Sequence, residues 1–267
     1  MKTVIEELNF ECGDLITIGA RPGMGKTLLT LQMATDLAFE GFKVLFVTFE
    51  TTKVDISETI MVQACKIHHE KVKSALYSNS QDDLTGEEFQ RFVHSHNHLK
   101  EGNLTVMDFN EWEEIFGTWE GFVTHSKSRD SILKDYELII FDHIQMINTS
   151  RKFQNRNEEL NMITLDLKRL ALRDNIPVVV TSQISRDVDF RPGKRPMMTD
   201  LKDCGALEEI SDKVIFLLRR EYYDPNDKPG MAEAIVAKDR KGSIGTRNLA
   251  FMKDILTFEE YDPIFAG

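Results

Sequence analysis

Gly19-Ala20-Arg21-Pro22-Gly23-Met24-Gly25-Lys26-Thr27 follows an apolar run, Leu15 to Ile18, and precedes an amphipathic stretch that begins at Leu28. This order reads as a strand, a glycine-rich turn and a helix. Such a turn lets successive backbone N–H groups face a polyphosphate, while the helix N-terminus adds positive dipole. Lys26 then reaches the β- and γ-phosphates, and the Thr27 hydroxyl binds Mg²⁺. The strict pattern has glycine where this chain has Ala20, with Gly19 one position too early, so the match is to an alanine-tolerant form. The residues expected against the nucleotide are Ala20, Arg21, Pro22, Gly23, Met24, Gly25, Lys26, Thr27 and Leu28.

Working outward, apolar runs rich in β-branched residues recur at Val44 to Phe49, Leu104 to Met107, Leu138 to Phe141, Ile176 to Thr181 and Val214 to Leu218. Helical periodicity fills Thr27 to Phe39, Asp55 to Ile67, Gly86 to His98 and Glu158 to Arg173. Near-continuous apolar strands alternating with helices imply an α/β fold with a mostly parallel central sheet covered on both faces. Beyond Lys213 the helical pattern stops. The runs Ala232 to Ala237 and Leu249 to Met252 flank Lys238-Asp239-Arg240-Lys241-Gly242-Ser243-Ile244-Gly245, which reads as a C-terminal β-hairpin extension. Gln81 to Thr85 and Asn148 to Asn157 read as polar loops, and a single domain over residues 1–267 is expected.

Ligands of an open parallel sheet bind outside the carboxyl ends of its strands. The second strand ends at Glu50, a carboxylate able to orient or deprotonate an attacking water. Leu138-Ile139-Ile140-Phe141 ends at Asp142, an apolar strand followed by an acid, as in Mg²⁺-dependent nucleoside triphosphatases. Val178-Val179-Val180-Thr181-Ser182 ends at Gln183, whose amide can sense a γ-phosphate. Singly, such residues cap strands in many proteins; jointly, where one nucleotide touches them all, they read as an ATPase. Lys238 and Arg240 lie far along the chain from the phosphate loop. They read either as a basic hairpin exposed to water or as cations supplied to the nucleotide of a neighbouring subunit.

The net charge of −11 argues against nucleic acid on its face, because binding the phosphate backbone relies on positive potential. The basic groups nevertheless concentrate toward the C-terminal third, notably Arg186, Arg191, Lys194, Arg195 and Lys202. Three cysteines, Cys12, Cys65 and Cys204, form no Cys-x-x-Cys pair, which leaves neither a zinc nor a redox motif. His94, His96 and His98 invite a metal, but a helix puts only His94 and His98 on one face, so a solvated surface is the simpler reading. No apolar run is long enough to span a bilayer and no basic-then-apolar leader opens the chain, so the expectation is a cytoplasmic protein without a membrane partner.

Taken together, these residues resemble the C-terminal motor domain of DnaB-type replicative helicases, a branch of the RecA-like ATPases. The specific parts are the phosphate loop, Phe49-Glu50, Phe141-Asp142-His143-Ile144-Gln145 and Ser182-Gln183-Ile184-Ser185-Arg186. The similarity continues through Lys194-Arg195-Pro196, Asp200-Leu201-Lys202-Asp203-Cys204-Gly205 and the Lys238 to Gly245 hairpin. The resemblance implies a RecA-like phosphate-loop fold, with Glu50 activating water and Thr27 and Asp142 holding Mg²⁺. It also implies that Lys238 and Arg240 contact the nucleotide of an adjacent subunit. Lys202, Asp203 and Gly205, with Lys194 and Arg195, would hold single-stranded DNA by its backbone, without reading bases, inside a homo-oligomeric ring, a hexamer formed with ATP or DNA.

The chain departs from the family in several places. Lys202 replaces a usual arginine and Asp203 a usual glutamate, keeping charge but losing the guanidinium fork. Thr59 falls where an arginine packing on the base is common, which implies looser base recognition. His143 takes the place of a tyrosine, read as a packing substitution. Family members carry an N-terminal helical domain and a linker helix ahead of the motor, and Met1 stands only about two dozen residues before Lys26, so both are expected to be missing.

The function implied is an ATP-driven motor on single-stranded DNA, travelling 5′ to 3′, such as the compact replicative helicase of a phage or mobile element, with a helicase loader or primase as a further partner. The alternatives are a non-helicase RecA-like DNA-binding ATPase, a recombination or loading factor, and an ATPase switch acting on a protein.

Overall fold

Fully buried strands demand cover on both faces, and the computed structural model, which describes residues 10–77, 83–201 and 205–261, shows how it is provided. Nine strands form one sheet in the order β3-β2-β4-β5-β1-β6-β7-β8-β9. The parallel part comprises β1 (Leu15–Ala20), β2 (Val44–Thr48), β3 (Leu104–Met107), β4 (Leu138–Asp142), β5 (Val178–Gln183) and β6 (Lys213–Leu218). Every residue of β1, β2, β4 and β6 is buried, which is why they read as uninterrupted apolar runs rather than alternating ones. β7 (Met231–Asp239), β8 (Gly245–Met252) and β9 (Thr257–Glu260) continue the sheet antiparallel, so the expected hairpin is an integral extension that also acquires a third strand.

The helices expected from periodicity are present as α1 (Lys26–Phe39), α2 (Lys53–Cys65), α4 (Gly86–Leu99) and α7 (Arg156–Asp174). Their ends follow ordinary capping chemistry. Thr52, Thr85 and Asn155 accept first-turn N–H groups at α2, α4 and α7, and Thr85 forms a reciprocal capping box with Glu88. Part of the polar loop expected at Gln81 to Thr85 lies outside the described residues.

Four short helices carry little periodic signal: α3 (His69–Tyr77), α5 (Phe109–Phe116), α6 (Trp119–Ser126) and α8 (Gly205–Ile210). α5 and α6 exist to deliver aromatic rings. Trp112 lies 4.7 Å from Phe122 and 4.8 Å from Phe116 between ring centroids, and it meets Phe49 edge-on at 5.2 Å and Phe141 at 6.1 Å. Phe49 and Phe141 directly precede Glu50 and Asp142, so this cluster is the floor on which the ends of β2 and β4 rest.

Candidate active site

Parallel register sets the geometry of the site. Ala20 lies opposite Gln183, and Thr48 opposite Asp142, so the carboxyl ends of β1, β5, β2 and β4 reach one edge. The missing glycine is explained here. Ala20 is the last residue of β1, fully buried and extended, and a β-carbon is no burden there. Left-handed backbone is needed later in the loop, at Gly23 (φ +78°) and Gly25 (φ +95°), where the chain does have glycine. α1 then starts with no side-chain cap and no acid in its first turn, which leaves its first N–H groups free to meet an anion.

An open cleft of 570 Å³ lies over this edge, lined by Pro22, Gly23, Gly25, Lys26, Thr27, Leu28, Glu50, Thr51, Thr52, Asp55 and Gln183. Lys26 is buried, and its ammonium is pushed below the ordinary lysine value by burial, with Asp142 and Glu50 opposing. Asp142 is 1% exposed and has both oxygens occupied: the Thr27 hydroxyl donates to Oδ2 at 2.7 Å and the Thr181 hydroxyl to Oδ1 at 2.5 Å. The Thr27 proton is thus committed to Asp142, which leaves the hydroxyl lone pairs for a cation in the cleft. Glu50, by contrast, is an exposed carboxylate just beyond β2 on a turn fixed by Thr51 N–H donating to Thr48 Oγ1 at 3.2 Å.

Two further devices bind the phosphate loop to the end of β5. The Arg21 guanidinium donates to the Ile184 carbonyl at 3.1 Å and pairs with Asp189 at 2.9 Å. Burial raises the Asp189 carboxyl, but hydrogen bonds from Arg21 and Tyr223 outweigh it and hold it below the usual range. Gln145 grips the Gln183 backbone from both sides, donating to its carbonyl at 3.1 Å and accepting its N–H at 3.1 Å. Arg156 in turn holds the Gln145 carbonyl at 2.8 Å. In the sequence Gln145 stands three residues after Asp142, and no local pattern shows that its amide reaches β5.

His143 is not a packing substitution. Its ring is buried, but Nδ1 lies 3.1 Å from a Glu50 carboxylate oxygen and Nε2 lies 3.3 Å from the Gln183 amide nitrogen. Burial pushes its pKa below the ordinary histidine value, against the pull of Asp142 and Glu50.

The other expected residues sit elsewhere. Lys238 and Arg240 do not line the cleft. Lys238 Nζ donates to the carbonyls of Glu208 and Glu209 at 2.7 and 2.9 Å, and Arg240 donates to that of Glu209 at 2.8 Å, so both cations cover the C-terminal end of α8. Burial and the neighbouring Arg240 lower the Lys238 pKa. Arg195 is ion-paired with the buried Glu233 at 2.7 Å, and Lys194 donates to the Asp189 carbonyl. Gly205 opens α8, whereas Lys202, Asp203 and Cys204 lie outside the described residues. Cys12 is exposed and Cys65 buried. His94 and His96 are exposed, and among the described residues no cluster of histidine, cysteine or acid could hold a metal. No described helix is long and apolar enough to cross a membrane.

The chain is similar to known proteins in sequence and fold. The chain is 31% identical over 245 residues to a probable plasmid replicative DNA helicase of Chlamydia psittaci, covering 90% of this chain and 50% of the relative. It is 30% identical over 265 residues to the replicative DNA helicase DnaC of Bacillus subtilis, covering 93% and 53%. The chain therefore spans about half the length of the curated relatives it matches. Among solved structures, an isolated ATPase domain superposes with a TM-score of 0.82 at 27% identity, covering 98% of this chain and 91% of that one. A DnaB-like replicative helicase, solved in a study of its interactions with primase, gives the same TM-score and identity over 98% of this chain and 62% of its own. The RadB recombinase, at 18% identity and a TM-score of 0.56, shares the fold alone. With the DnaB-like helicase C terminal domain family matching residues 7–260, on a RecA-like sheet whose phosphate loop, Glu50, Asp142 and Gln183 meet at one edge, the chain belongs to that family.

Proposed function

We propose that this chain is the ATP-hydrolysing motor of a ring-forming replicative helicase that moves along single-stranded DNA. One observation carries the reading: Lys26, Thr27, Glu50 and Gln183 line one cleft, with Asp142 bound to Thr27 at its floor. The uncapped start of α1 and Lys26 receive the phosphates of ATP. Thr27, with Asp142 behind it, would hold Mg²⁺, which would supply charge neutralisation to the phosphates. Glu50 orients the attacking water and accepts its proton, and it is suited to this because it lines the cleft and is exposed to water. Gln183 meets the terminal phosphate. Its backbone, held by Gln145 and joined through Ile184 to Arg21, passes any shift into the segment that leads to residues 202–205.

Lys238 and Arg240 act on the nucleotide of the next subunit, and residues 202–205 grip DNA backbone in the channel. Support comes from their placement: both cations lie off the chain's own cleft, against the end of the helix that Gly205 opens. Ring assembly brings six such sets together, and this is how an acidic protein focuses positive charge on a strand. Arg195 and Lys194 serve this surface by shaping it, since both are committed to partners within the chain. The whole assembly, including any loader or primase contact, is cytoplasmic.

The test is ATP hydrolysis with and without single-stranded DNA, with the protein's mass followed across concentration and nucleotide state. DNA-stimulated turnover by an ATP-favoured ring supports the motor. A monomer whose turnover ignores DNA overturns it.

A further inference from the structure

Glu50 needs a defined orientation to aim a water molecule, yet its side chain is 57% exposed and stands beyond the end of its strand. Its ion-pair contact among the described residues is His143, whose side chain is only 4% exposed. A carboxylate can only accept, so the Nδ1 that faces Glu50 at 3.1 Å carries the proton. A primary amide nitrogen can only donate, so the Nε2 that faces Gln183 Nε2 at 3.3 Å offers its lone pair. One neutral tautomer satisfies both contacts at once, and the ring joins the two side chains through opposite edges.

The ring is also well anchored. His143 continues β4 directly after Asp142, whose two oxygens are fixed by Thr27 and Thr181, and Phe49 N–H donates to the Asp142 carbonyl at 2.9 Å. The Gln183 backbone is clamped by Gln145, so its side-chain amide is the part of that residue outside the clamp. A buried imidazole held just past the end of a fixed strand, between one exposed carboxylate and one amide, has the geometry of a coupler, and burying it only to fill space would leave two polar nitrogens to satisfy.

We propose that His143 is a positioning residue that links Glu50 to Gln183. Its Nδ1–H holds the Glu50 carboxylate toward the water it activates, and its Nε2 ties that orientation to the Gln183 amide. When the amide turns to meet a terminal phosphate it gives up its tie to His143, so the ring passes occupancy of the cleft to the orientation of Glu50. This deepens the functional reading above and rests on it.

The experiment measures steady-state hydrolysis with single-stranded DNA and Mg²⁺, alongside nucleotide binding, for the whole chain carrying His143→Leu, His143→Asn, His143→Gln or Glu50→Gln. Leucine removes both contacts and should lower kcat about 100-fold, the cost of a mis-set catalytic group, with nucleotide Kd unchanged. Asparagine keeps a donor near the Nδ1 position and should recover about tenfold of that loss, whereas glutamine, with its amide near the Nε2 position, should not. Combining His143→Leu with Gln183→Ala should cost little more than Gln183→Ala alone, because the link is already broken once the amide is gone.

Native kcat in His143→Leu overturns the proposal, as does an equal loss in the leucine and asparagine variants accompanied by weakened nucleotide binding. If Glu50→Gln turns over normally, the role of Glu50 itself is wrong; if that variant is inactive while His143→Leu is normal, only the coupling fails. Nitrogen NMR of histidine-labelled protein at mildly alkaline pH gives an answer independent of turnover. An Nδ1–H tautomer at His143, altered in Glu50→Gln, is expected, and an Nε2–H tautomer overturns the proposal.

Discussion

The cleft edge of the parallel sheet and the antiparallel hairpin both gather charged groups, but they use them differently. At the cleft, side chains from the strand ends and the start of α1 meet each other: Thr27 with Asp142, Thr181 with Asp142, and Glu50 with Gln183 through His143. At the hairpin, long cations reach back to their own chain. Lys238 and Arg240 cover the end of α8, and Arg195, Arg220 and Lys228 converge on the buried Glu233. The lesson is about what a monomer can finish. Parallel register brings strand ends together within one chain, whereas the hairpin's long cations rest on partners of their own chain, from which, on the function proposed above, a neighbouring subunit would draw Lys238 and Arg240.

The largest expected effect tests the cleft. Glu50→Gln keeps the shape and removes the base, so hydrolysis should fall by about 10³-fold with ATP binding intact. Near-normal turnover in a phosphate-release assay would remove the cleft's claim to the chemistry. Next in size, Arg240→Ala should lower hydrolysis by about 10²-fold or more, and mixing it with Lys26→Ala should regain activity that neither has alone. If no mixing ratio regains any, the hairpin does not act across an interface and the comparison breaks on that side.

Two stability measurements sharpen the contrast. Glu233→Ala strands three cations around a buried site and should cost about 3 kcal/mol in urea melts. Burial raises the Glu233 carboxyl, but hydrogen bonds from Arg220 and Arg195 outweigh it and hold it below the usual range. Its contribution is therefore present above the ordinary glutamate value and is lost as pH falls through the depressed one. Asp36, on α1 behind the phosphate loop, has the opposite sign. Burial raises it from 3.8 to about 6, so its charge costs stability at neutral pH, and the cost disappears as pH falls through that window. Asp36→Asn should stabilise by about 1–2 kcal/mol above pH ~6 and by almost nothing below pH ~4. A gain of equal size at both pH values would contradict the assignment.

Much of this site was legible before any coordinates. The phosphate loop, Glu50, Asp142 and Gln183 each end a buried strand, and buried parallel strands announce themselves as apolar runs. Three things were hidden. Ala20 looked like a defect in the loop until its place inside β1 showed that no left-handed residue was required there. α5 and α6 are each eight residues long, too short to declare a period, and they hold their shape by packing Trp112, Phe116, Trp119 and Phe122 under β2 and β4. His143 read as a substitution for packing because sequence does not say which side chains meet its two nitrogens.

What the sequence determined by itself was the fold class, the order of the long helices and of every strand but the last, and the residues that end the parallel strands, because burial and turn chemistry are local and leave a periodic trace. What only the tertiary structure decided was who touches whom: that both oxygens of Asp142 are already engaged, that Arg195 belongs to Glu233, and that Lys238 and Arg240 rest on the end of α8. Those pairings join residues from about 30 to 115 positions apart. They follow from sheet order and register, and no local pattern encodes that distance.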